Sequence, residues 1–118
     1  MLDTAHLTTQ TGGDVELRGQ LARIFVDEYP SLLQRLREGL TSRNATAIEK
    51  AAHRMKGSLA TMGAFRAAGT GEQLETAAHH GDVSEAARIS EDFGEQCDEV
   101  VLELEKMAWP VSAERGRG

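Results

Sequence analysis

Apolar residues recur every three or four positions in four successive stretches of this 118-residue chain, and glycine, asparagine or serine marks the breaks between them. That spacing is the period of a helix with one buried face. The first stretch runs through Leu17, Leu21, Ile24/Phe25, Tyr29, Leu32/Leu33, Leu36 and Leu40, and it passes Pro30 without losing phase. A proline removes one internal hydrogen bond, so one long helix kinked at Pro30 is expected, with two helices meeting there as the alternative. The second, from Asn44 to Ala64, has its stripe at Ile48, Ala52, Met55, Leu59 and Met62. A third, Phe65 to His80, carries a narrow, small-residue stripe at Phe65, Ala68, Gly71, Leu74 and Ala77/Ala78. The last places Ala86, Ile89, Phe93, Cys97, Val100, Leu104 and Met107 inward and is expected to end at Trp109-Pro110.

Asp14, Asn44 and Ser84 are suitable N-caps, and Gly81 suits a left-handed C-terminal stop. Leu2 to Thr11 reads as a short helical turn that lays Leu2 and Leu7 over one end of the core, with His6 at the surface. The fold expected is all-α, an antiparallel up-down four-helix bundle with a short N-terminal helical turn. Residues 1–110 would form the domain, and the small, polar stretch 111–118 a disordered tail.

Composition narrows the function. With 13 basic and 19 acidic residues the formal charge is −6. Nucleic acid or an anionic membrane surface would call for a dense basic stripe, so neither is expected as a partner. No apolar run approaches the ~20 residues of a membrane span. The start, MLDTAHLTTQ, lacks the basic and apolar regions of a signal peptide. A single cysteine, Cys97, excludes an internal disulfide and fits a reducing cytoplasm; its place in an apolar stripe reads as buried filler.

The second helix carries the feature that a bundle alone does not require. His53 lies two residues before Met55, so at about 100° per residue it points roughly 160° away from the buried stripe. Lys56 and Gly57 follow one turn later, and Ala60 and Ala64 continue that side. Solvated helix faces are usually covered by long charged chains. A glycine inside a helix costs about 1 kcal/mol relative to alanine. Beside a histidine, that cost is explained if another macromolecule must come close to the ring.

These residues carry a resemblance. His53-Arg54-Met55-Lys56-Gly57-Ser58 followed by Met62-Gly63-Ala64 resembles the signature of histidine-containing phosphotransfer (HPt) domains, roughly H-x-L-K-G-[SA]-x(4)-G-A. Leu74-Glu75 and Gly81-Asp82 stand where that family tends to carry an L-E pair and a turn. The likeness extends from about Gly13 to Met107. Met55 replaces the usual leucine, a volume-conserving change, and Leu59 replaces a position that is often small.

The resemblance implies a phosphoryl carrier and not an enzyme. His53 would be phosphorylated on Nε2, Lys56 would offset the phosphoryl charge, and Gly57 would leave room for the partner's loops. Glu49, Lys50, Arg54, Ala60 and Ala64 are docking candidates from the helical wheel. The expected partners are response-regulator receiver domains and a hybrid histidine kinase, with a monomeric carrier working in the cytoplasm. The chain shows no Walker A loop, no Gly-rich nucleotide motif and no acidic cluster suited to Mg²⁺. Hence no cofactor of its own is expected; Mg²⁺ would come from the receiver. Near-complete coverage by one domain suits a free-standing carrier or an excised module. Two alternatives are a kinase's own substrate domain, phosphorylated directly from ATP, and a non-catalytic helical adaptor. His79-His80 read as a solvated helix end and not as metal ligands, and the acidic residues Glu95, Asp98, Glu99, Glu103 and Glu105 as the wet face of the last helix.

Overall fold

A computed structural model describes residues 15–117, with the side chains of residues 16–106 except that of residue 18. Four helices follow one another: α1 Val15–Thr41, α2 Ala45–Thr61, α3 Phe65–His79 and α4 Val83–Arg117. Each packs on its two neighbours, α1 on α2 and α4, and α3 on α2 and α4. Three-residue turns between successive helices leave no room for crossovers, so neighbours run antiparallel. The described residues thus form the expected up-down bundle. The N-terminal turn, His6 and the Asp14 cap lie outside the described residues.

The buried faces follow the periodicity. Ile48, Ala52, Met55 and Leu59 of α2 and Met62 just beyond its end are all at most 3% exposed, as are Phe93, Cys97, Val100 and Leu104 of α4. Burial pushes the Cys97 thiol up to about 12, which leaves almost no reactive thiolate near neutral pH. Helix α1 is continuous through Pro30, as the unbroken phase required. The Tyr29 hydroxyl donates to Asp98 Oδ1 at 2.8 Å, tying α1 to α4. Burial, followed by that hydrogen bond, raises the Tyr29 pKa well above its ordinary value.

All three turns share one geometry. In each, the middle residue has positive φ: Arg43 at 54°, Gly63 at 80° and Gly81 at 77°. The amide of the residue after it reaches back to the fifth residue before it: Asn44 to Gly39 at 2.9 Å, Ala64 to Leu59 at 2.9 Å, Asp82 to Ala77 at 2.9 Å. This is the wide hydrogen bond of a Schellman stop, and the left-handed residue suits glycine at two of the three positions. The next residue opens the following helix. Asn44 accepts from the Ala47 amide at 3.1 Å, as expected.

Four expectations need correction. Asp82 and not Ser84 caps α4, accepting from the Glu85 amide at 3.0 Å; an aspartate directly after a left-handed glycine already sits at the cap. Helix α4 runs on to Arg117, past Trp109-Pro110 and through most of the stretch expected to be disordered. Phe65 is 48% exposed and not inward. Ala64 is fully buried and therefore no docking residue. For Ala64, the helical wheel carried the phase of α2 across Gly63, but α2 ends at Thr61 and the turn resets the phase. Phe65 was reached by repeated three-residue steps on α3, each of which drifts about 60° around the helix and off its buried face.

Candidate functional site

The site lies on the seam between α2 and α3. Helix α2 buries Ile48, Ala52 and Met55, and the same register sends His53 outward with its side chain 69% exposed. On α3, burial of Leu74 places Glu75 at the edge facing α2. Close approach of α3 to both α4 and α2 is permitted by Gly71, where a Cβ would come within 3.1 Å of the Phe93 ring and 3.3 Å of Lys56 Cβ.

Glu75 connects the two residues that carry the motif. Its Oε2 lies 2.8 Å from His53 Nδ1. Its Oε1, buried from water, faces Lys56 Nζ at 2.7 Å, and Glu72 Oε1 approaches the same ammonium at 3.7 Å. An ionised carboxylate only accepts hydrogen bonds, so His53 must carry its proton on Nδ1. The Nε2 lone pair is then left on the outward side of the ring. The Lys56 ammonium, followed by the His53 hydrogen bond, holds the Glu75 carboxyl below its ordinary range, against the opposing push of burial. Glu75 in turn raises the Lys56 pKa, so the ammonium stays charged.

Beside the ring, the helix is bare. A Cβ added to Gly57 would meet nothing within 4 Å. Ala60 is half-buried against the core and Ser58 half-buried, so the bare strip is shorter than the wheel suggested. Of the charged docking candidates, Lys50 is exposed, Arg54 pairs with Glu28 Oε2 of α1 at 3.5 Å, and Glu49 pairs with His79. A broad groove between α1 and α2 opens next to His53, with Leu32, Ala47 and Ala51 in its lining and Arg35, Lys50 and Arg54 around it. Among the described residues, no three His, Cys, Asp or Glu side chains converge as metal ligands. No described helix is long and apolar enough to cross a membrane.

The site was legible in part. His53, Lys56 and Gly57 share one helix, where spacing fixes their relation. Glu75 was given no role, although it stands in the Leu74-Glu75 pair that the resemblance singled out. Its function depends on the inter-helix register, and no periodicity within one helix reports that.

The family description for the Hpt domain matches residues 20–108 of the 118. This chain belongs to the Hpt domain family. No curated protein and no solved structure matches it. Hpt domains are helical phosphocarrier modules of two-component signalling and interact with receiver domains. The four-helix architecture of the described residues agrees with that membership, and His53, Glu75 and Lys56 lie together on its α2–α3 seam.

Proposed function

We propose that this Hpt domain is a relay carrier that takes a phosphoryl group from a receiver-domain aspartate onto His53 and passes it to a second receiver. The observation that carries this reading is the Nδ1 contact to Glu75, which leaves Nε2 as the nucleophilic nitrogen on an exposed ring. In the forward step the Nε2 lone pair forms a bond to phosphorus and the P–O bond of the aspartyl phosphate breaks. The aspartate leaves as a carboxylate with the bonding electrons. The Nδ1 proton remains on the ring, so the phosphorylated imidazole is cationic and faces the Glu75 carboxylate. That contact assists the forward step by stabilising the positive charge that develops on the ring.

Lys56, one turn along, offsets part of the phosphoryl charge and is shared between the phosphoryl oxygens and Glu75. Gly57 admits the receiver's loops. Lys50, Arg54 and the exposed part of Ala60 form the rim on which the receiver docks, and Glu49 bounds the face on the α3 side. The receiver supplies the divalent cation that its own acidic pocket holds, and the hybrid kinase feeds the first receiver.

The test is transfer of an acid-labile radiolabel from a panel of phosphorylated receivers to the wild type and to His53→Gln. Label on the wild type alone, with unchanged helix content in the variant, supports the reading. Binding of receivers without any label transfer would leave an adaptor.

A further inference from the structure

A second histidine–carboxylate couple lies one helical turn along the same seam. In an antiparallel pair, four residues back along α2 are matched by four residues forward along α3. The step from His53 and Glu75 therefore arrives at Glu49 and His79, with the two residue types exchanged between the helices. His79 Nδ1 lies 2.9 Å from Glu49 Oε2. The His79 side chain is 68% exposed, nearly the same as His53. By the argument used above, the carboxylate fixes the proton on Nδ1 and leaves Nε2 as the free nitrogen.

Access is comparable too. His79 is the last residue of α3, and Gly81 just beyond it has open space where a side chain would stand. The neighbouring His80 ring touches it edge-on, with centroids 5.6 Å apart. What differs is the cation: among the described residues Glu49 pairs with no lysine or arginine. Carbonyl groups at the C-terminus of α3 favour a cationic ring and disfavour an added dianion.

We propose that His79 is a second phosphoryl-accepting site, for acyl phosphates. The Nε2 lone pair of the neutral ring forms the N–P bond, the P–O bond of the mixed anhydride breaks, and the carboxylate departs with the electron pair. The Nδ1 proton stays in its hydrogen bond to Glu49, whose charge faces the resulting imidazolium. Without a lysine, the phosphoryl group at His79 is shorter-lived than one at His53. The proposal stands on the Glu49–His79 geometry and does not depend on the role given to His53.

The experiment uses the full chain carrying His53→Gln. One arm supplies acetyl phosphate, and the other a phosphorylated receiver domain freed of small donors. Site-resolved mass spectrometry at neutral to alkaline pH reads the label, and exposed His80, which has no carboxylate partner among the described residues, is the internal reference. Labelling of His79 about tenfold faster than His80 is expected in at least one arm, equivalent to about 1.4 kcal/mol in barrier, and the responding arm identifies the donor. Glu49→Ala should bring His79 down to the rate of His80. Equal labelling of the two histidines in both arms overturns the proposal, as does an excess at His79 that survives Glu49→Ala.

Discussion

Glu75 and His53 meet across the α2–α3 seam at 2.8 Å, through Nδ1, the ring nitrogen that the proposed transfer does not use. Replacing Glu75 by alanine should release the ring to both tautomers and free its rotation. Receiver-dependent transfer to His53 is expected to fall about tenfold, or about 1.4 kcal/mol in barrier. Glutamine, whose amide oxygen can still accept from Nδ1, should restore part of the rate. Imidazole ¹⁵N shifts report the tautomer directly; unchanged shifts and rates in the alanine variant would show that the contact is incidental.

Gly57 separates access from stability. Alanine there should stabilise the helix by about 1 kcal/mol, since the site is exposed and nothing obstructs a Cβ. Arginine should keep most of that gain and yet slow transfer from a receiver at least about tenfold, while phosphorylation by acetyl phosphate changes little. Equal slowing with both donors would mean that the substitution disturbs His53 itself and not the approach of a partner.

The acid limb of stability should depend on Glu75. Its folded pKa lies below the ordinary value of 4.5. A group depressed in this way stabilises the fold above its unfolded pKa, and that contribution is lost as pH falls through the folded value. The urea midpoint of the wild type should therefore drop more steeply below about pH 4.5 than that of Glu75→Gln, with the two curves parallel at higher pH. Parallel curves throughout would mean that the ion pair with Lys56 adds nothing to folding.

Arg43 is the left-handed residue of its turn, in the place that Gly63 and Gly81 occupy in theirs. Arg43→Gly should raise stability by roughly 0.5 kcal/mol, because relief of the Cβ clash exceeds the added chain entropy. Gly81→Ala should lower it by about 1 kcal/mol. Thermal unfolding of the two variants beside the wild type checks the pair of signs.

These residues also show where reading the sequence succeeded. Met55 and Leu59 were placed inward, and His53 outward, because all three share one uninterrupted helix whose period fixes angles. Ala64 was misplaced because a left-handed residue at Gly63 resets the angle between two helices, and a wheel has no term for that. Asp82 lost the cap to Ser84 on paper because the turn was drawn two residues too long. The Glu75 and Glu49 contacts are properties of how two helices are set side by side, which depends on the turn geometry and on the small residues that let the backbones approach.

Lys56 sits between Glu72 and Glu75, so the empty seam already holds more anion than cation. A phosphoryl group brings roughly two further negative charges, of which the cationic ring offsets one. In the proposed relay the cargo would therefore travel on a scaffold that repels it slightly, its lifetime governed by how soon a recipient arrives and not by how firmly it is gripped.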